Sequence, residues 1–109
     1  MGATKSDLFT AQQNRLSTLF KVLGHPARIA ILQYISTQNA CICGDLVEEL
    51  GLAQATISQH LKELKKVELI QGTIEGKSVC YCINVQVWKE IGADFNEFFK
   101  SPVEITGCC

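Results

Sequence analysis

Ala53-Gln-Ala-Thr-Ile-Ser-Gln-His-Leu-Lys-Glu-Leu-Lys-Lys66 is the stretch from which the rest of the chain can be read. At helical spacing Ile57, Leu61 and Leu64 fall on one face, and Thr56, Ser58, Gln59, His60, Lys62, Lys65 and Lys66 occupy the remainder. The outward residues are hydroxyls and amides towards the amino end and lysines towards the carboxyl end. That order suits a helix whose first turns meet base edges and whose later turns meet phosphates.

Working upstream, Cys43 to Leu50 reads as a short amphipathic helix, with Gly51-Leu52 as a tight connection to the helix just described. Two helices joined through a glycine-containing turn, the second rich in hydroxyls and amides, form a helix-turn-helix pattern. Leu8 to Val22 reads as a first helix with Leu16, Leu19, Phe20 and Leu23 apolar at helical spacing, closed by Gly24. Pro26 is well placed in the first turn of a second helix that runs to about Ser36, with Ile29, Ile31, Leu32 and Ile35 apolar. Downstream, Leu69 to Ile74 and Ser78 to Asn84 read as two strands of a hairpin with glycine at its tip. Val79, Tyr81 and Ile83 share one strand face, which leaves Cys80 and Cys82 on the other. A last helix over Gln86 to Lys100 carries Trp88, Ile91, Phe95, Phe98 and Phe99 on one stripe. So much apolar surface exceeds what a small hairpin needs for cover, and with the first helix it predicts a dimer interface.

Three stretches resemble one family. Gly51-Leu-Ala-Gln-Ala-Thr-Ile-Ser-Gln-His-Leu-Lys-Glu-Leu-Lys65 is similar to the recognition region of the ArsR/SmtB winged-helix repressors. Leu23-Gly-His-Pro-Ala-Arg-Ile-Ala-Ile-Leu32 resembles that family's second helix, and Glu75-Gly-Lys to Tyr81 resembles its wing. The resemblance implies a mainly α fold, a winged helix-turn-helix with a two-stranded β-wing, paired as a homodimer through its first and last helices. It implies DNA contact at Gln54, Thr56, Ser58, Gln59, His60 and Lys62, and at Lys77 in the wing. Gln54 or Gln59 suits adenine, Thr56 a thymine methyl, and Lys62 and Lys77 the phosphates. His60 has a rival role, bonding across the helix pair inside the domain. Two recognition helices about 34 Å apart predict double-stranded DNA bearing an imperfect inverted repeat as the partner. The chain departs from the family at Ala53, where a capping serine is usual, and in a wing, Gly72-Thr-Ile-Glu-Gly-Lys77, without arginines. Both departures weaken DNA affinity.

A chain of 109 residues predicts one domain over 1–109, with 101–109 as a flexible tail after Pro102. A 47% hydrophobic share supports a true core. The net charge of −1 is low for a nucleic-acid binder, so the basic character must be local, around Lys62, Lys65, Lys66 and Lys77. No apolar run reaches membrane-spanning length and the amino end lacks a signal-peptide core, which predicts a cytoplasmic protein without membrane contact. In that reducing setting six cysteines point to metal or redox chemistry rather than a disulfide framework. No phosphate loop, nucleophile with matching histidine and acid, or cofactor signature is present, so enzyme chemistry is excluded.

Cys41-Ile-Cys43 lies where the arsenic, cadmium and lead sensors of the family carry their thiolates, displaced by one position from the usual register. Soft thiolates select soft ions. A trigonal arsenite site wants three, and the exposed vicinal pair Cys108-Cys109 can supply the remainder. The expected metal ligands are thus Cys41, Cys43, Cys108 and Cys109, with As(III) or another thiophilic ion as inducer and no resident cofactor. Buried apolar filler is the plain alternative for Cys41 and Cys43. Cys80 and Cys82 read equally as an ion clamp, an oxidation-prone pair or packing between wing and helix. The last helix offers Glu90, Asp94 and Glu97 but no histidine, which argues against the family's zinc or nickel site there. The leading expectation is a repressor released from its operator by a thiophilic ion. A thiol-based redox or persulfide sensor of the same fold, and a dimeric interaction module without DNA binding, stand as alternatives.

Overall fold

The computed structural model describes residues 5–38, 46–75, 78–100 and 102–103. A 3-10 turn at Lys5–Leu8 precedes five helices, α1 (Ala11–Leu23), α2 (Pro26–Ser36), α3 (Leu46–Leu50), α4 (Gln54–Lys66) and α5 (Val85–Phe99). Strands β1 (Ile70–Glu75) and β2 (Ser78–Ile83) form an antiparallel pair between α4 and α5. This is a mainly helical winged helix-turn-helix, as the spacing predicts.

The first helix begins three residues later than the apolar spacing suggests, because Thr10 closes its amino end. The Thr10 hydroxyl accepts from the Gln13 amide at 3.0 Å, and the Gln13 side chain accepts from the Thr10 amide at 3.0 Å. This reciprocal capping box satisfies two amide donors that a helix start otherwise leaves open. At the far end Gly24 is required by space: a Cβ there would stand 2.9 Å from the Phe20 carbonyl oxygen. Pro26 opens α2 behind His25, whose Nδ1 accepts from the Ala27 amide at 3.1 Å.

Gly51 makes the turn between α3 and α4 at φ 66°, a left-handed conformation that L side chains resist. Its amide donates to the Val47 carbonyl at 2.9 Å, closing α3 and reversing the chain into the next helix. The end of α4 is a Schellman motif. The Leu69 amide donates to Leu64 at 3.2 Å and the Glu68 amide to Lys65 at 2.9 Å, with Glu68 in the left-handed position at φ 62°. That turn delivers Leu69 and Ile70, both buried, to the start of β1. The hairpin pairs Ile70 with Ile83 at one end and Glu75 with Ser78 at the other. Asn84 then caps α5 through its side-chain oxygen, which accepts from the Val87 amide at 3.3 Å.

The core gathers one stripe from each element: Leu19 and Val22 of α1, Ile31, Leu32 and Ile35 of α2, Leu46 of α3, Ile57, Leu61 and Leu64 of α4, and Ile91 of α5. Ile31 and Leu64 have no exposed surface, and each such burial is worth about 1.5–3 kcal/mol. Ile29, expected on the apolar face of α2, is instead 41% exposed. The aromatic stripe of α5 also divides. Phe95 packs towards the core, while Trp88, Phe98 and Phe99 stay exposed. Phe20 of α1 stacks on Phe95 with ring centroids 4.7 Å apart and meets Phe98 and Phe99 edge-on. Arg15 and Asp94 bind the same two helices through an ion pair at 2.9 Å.

Candidate nucleic-acid interface and thiol positions

Helix α4 owes its place to Ile57, His60, Leu61 and Leu64, which are buried at the 3-4 spacing of a helix stripe. The opposite face is open. Gln54, Thr56, Ser58, Gln59, Lys62, Lys65 and Lys66 are all exposed, so the five expected DNA-contacting residues other than His60 and Lys77 lie on one accessible ridge. Those five are Gln54, Thr56, Ser58, Gln59 and Lys62. Gln54 donates to the Ser58 hydroxyl at 3.1 Å and Gln59 to Glu63 at 3.4 Å, bonds along the helix surface that a base edge can replace. Lys66 donates to Glu63 at 3.1 Å, and this hydrogen bond, with the lysine charge, holds the Glu63 carboxyl below its ordinary range.

At the amino end of α4 Ala53 takes the capping position with extended backbone and no side-chain hydrogen bond. No side chain caps the first turn of the helix, which carries the residues expected to meet bases. The carboxyl half is built differently. Ser58, Lys62, Lys65 and Lys66 line one side of a shallow hollow whose other wall is Tyr81 from β2. Three ammonium groups beside a hydroxyl-bearing aromatic make a surface suited to phosphate, which lysine binds as a point charge. A second hollow, lined by Leu46, Val47, Gln54, Ile57, Ser58, Leu61 and Tyr81, continues along the amino half of the same helix. Tyr81 belongs to both, so the wing strand and the recognition ridge form one continuous surface. Tyr81 reads in sequence only as a strand residue; its alternation with Cys80 and Cys82 was the available signal.

His60 is not part of that ridge. It is 8% exposed, and its Nδ1 accepts from Nε of Arg28 at 3.1 Å. Of the two roles open to His60 the intradomain bond is the one the structure shows. The reason is position: residue 60 falls on the same stripe as Ile57, Leu61 and Leu64, facing α2. Arg28 also donates from Nη1 to the Val22 carbonyl at 3.1 Å, and the rings of His25 and His60 lie 4.3 Å apart. Neither Arg28 nor His25 stood out in the sequence as more than part of the second helix.

Lys77 and the expected metal ligands Cys41, Cys43, Cys108 and Cys109 lie outside the described residues. Among the described residues no three His, Cys, Asp or Glu side chains gather where they could hold a metal ion. Of the readings open to Cys80 and Cys82, oxidation is the one that fits, since both are disulfide-bonded. Cys80 is fully buried and Cys82 half-buried, on either side of Tyr81 in β2. Thiol chemistry therefore reaches the strand that forms the back wall of the basic hollow.

Comparison with known proteins fits this geometry. The family model for the bacterial regulatory protein, arsR family, matches residues 25–71, from the start of α2 into β1. An arsenical resistance operon repressor from Staphylococcus xylosus is 39% identical over 63% of this chain and 65% of its own length. One from Staphylococcus aureus is 33% identical over 74% of this chain and 77% of its own. The cadmium resistance regulatory protein CadC of Listeria innocua is 31% identical over 85% and 81% respectively. Among solved structures, a possible transcriptional regulator for arsenical resistance superposes with a TM-score of 0.64 at 22% identity, covering 73% of this chain and 82% of that one. HlyU of Vibrio cholerae gives 0.65 at 22% identity over 85% and 100%. These two likenesses speak for the fold. With an open polar ridge on a helix-turn-helix, a wing joined to it, and relatives of this kind, the chain belongs to the arsR family of bacterial regulatory proteins and is a DNA-binding transcriptional repressor, not an enzyme.

Proposed function

We propose that this repressor leaves its operator when its cysteine thiolates take up arsenite or another thiophilic ion. The observation that carries the reading is a pairing. The chain is similar over most of its length to an arsenical resistance operon repressor and a cadmium resistance regulatory protein, and it holds six cysteines in 109 residues. Trivalent arsenic and cadmium are soft acceptors for which thiolate is the preferred ligand. Cys41, Cys43, Cys108 and Cys109 are the residues assigned to the ion. The repressor acts as a homodimer on an imperfect inverted repeat. The exposed Trp88, with Phe98 and Phe99 against Phe20, supports pairing through α1 and α5, because apolar surface of this kind is buried at an advantage.

Release requires the ion to favour the DNA-free arrangement; an ion bound equally in both states shifts nothing. The test is fluorescence anisotropy of the fully reduced protein on a labelled duplex from immediately upstream of its own gene, titrated with arsenite without oxidant. Stoichiometric arsenite should release the DNA, and Cys41→Ser or Cys43→Ser should abolish that release. DNA binding that ignores arsenite and cadmium alike would reject the ion as inducer.

A second reading is favoured by the disulfide bonds at Cys80 and Cys82. Here the signal is oxidation: each S–S bond formed removes two thiol protons and two electrons, which a peroxide accepts as it becomes water. Release by hydrogen peroxide, reversal by dithiothreitol, and loss of the response in Cys80→Ser and Cys82→Ser would select it.

A further inference from the structure

The contacts of His60 have a use beyond packing. We propose that Arg28 is a positioning residue for DNA binding, holding the recognition helix through a hydrogen bond that only neutral His60 can accept, so that acidification releases the DNA. The inference rests on the DNA-binding reading given above and adds to it a proton as a second effector.

Arg28 projects from α2 and touches two other helices. Its Nη1 donates to the Val22 carbonyl near the end of α1, and its Nε donates to His60 Nδ1 in the middle of α4, each at 3.1 Å. One side chain thereby fixes the distance from α1 and α2 to the helix that reads DNA. Arginine has no acceptor, so the bond exists only while Nδ1 of His60 carries a lone pair and the proton resides on Nε2. An imidazolium places N–H against N–H and a second positive charge against a guanidinium that stays protonated.

The neighbouring groups strengthen this bias. His25, at the start of α2, lies with its ring 4.3 Å from that of His60. Glu63, one turn further along α4, acts on Arg28 but is itself held by Lys66. Lys62 and Lys66 of α4 and Glu48 and Glu49 of α3 are turned to solvent, as is Glu68 between α4 and β1. Desolvation, then the charges of His25 and Arg28, lower His60 below its ordinary value of 6.5. The neutral, bonded state is thus complete above pH 6.5 and is lost as pH falls from there through the lowered value. A histidine lying on phosphate would do the opposite, gaining affinity as it gains charge. The sign of the pH dependence separates the two.

The experiment is anisotropy on the same duplex at pH 7.5, 6.5 and 5.5 at fixed ionic strength, with circular dichroism at each pH. Wild-type affinity should fall towards pH 5.5 by about twofold to tenfold, the range open to one proton-linked group that titrates below its ordinary value. His60→Gln, whose amide oxygen still accepts from Arg28 but does not titrate, should keep its affinity across the range. A His60→Gln profile that parallels the wild type, or wild-type affinity that holds or rises in acid, overturns the proposal while leaving DNA binding intact. Absence of binding at every pH overturns both. The imidazole resonances of wild-type protein give a check independent of any variant. By reciprocity DNA should push the titration of His60 lower still, and an upward move would refute the proposal.

Discussion

Ala53 holds the capping position of α4 with extended backbone and contributes no hydrogen bond there. A serine oxygen in the same place would accept from an amide of the first turn and remove an open donor. Ala53→Ser should therefore stabilise the protein by about 0.5–2 kcal/mol, read as a raised thermal midpoint, and should tighten DNA binding if the residues of that turn meet bases. An unchanged midpoint would mean that the first turn is already held by other means. The missing cap was legible at once, because it depends on one residue and its neighbours. His60 shows where such reading stops. Residues 57, 60, 61 and 64 form a regular helical stripe, so burial could be inferred from spacing alone. Polarity argued the other way, and the deciding partner, Arg28, stands 32 positions earlier on another helix.

The elements were legible to the extent that their signals are local. Pro26, Gly51 and the alternation around Cys80 placed α2, the turn and the hairpin. The start of α1 moved because a reciprocal bond between Thr10 and Gln13 outweighs apolar spacing that runs back to Leu8. Glu68 was silent, since its left-handed backbone is fixed by the two hydrogen bonds that end α4 rather than by its own preference. On α4 itself the ridge has two chemistries, and they should separate in measurement. Lys62→Ala and Lys65→Ala, both facing the basic hollow, should weaken binding to specific and random duplexes alike and reduce the slope of log affinity against log salt by about one each. A substitution that changed sequence preference without changing the slope would show that its lysine reads bases instead.

For the whole molecule, the aromatic face of α1 and α5 is the feature least explained by a single chain. Phe99 is 70% exposed and Phe98 49%, beside a Phe20–Phe95 stack that a lone domain of this size has little reason to build at its surface. Phe98→Glu with Trp88→Glu should give a folded monomer in size-exclusion chromatography, with a normal helical spectrum and greatly weakened binding to an inverted repeat. A dimer that survives both changes would place the interface elsewhere. Oxidation of the wing thiols was legible only as one reading among three, because it depends on which cysteines meet in space, and pattern gives only that two sulfurs share a strand face. The lysines of α4 have a last consequence. Since the chain carries a net charge of −1 although this helix is basic, attraction to nucleic acid is concentrated on the face that bears its lysines. Such a molecule should be held only weakly by DNA of random sequence. Duplex of random sequence should therefore release it at lower salt than it releases a uniformly basic repressor, which a salt titration would read.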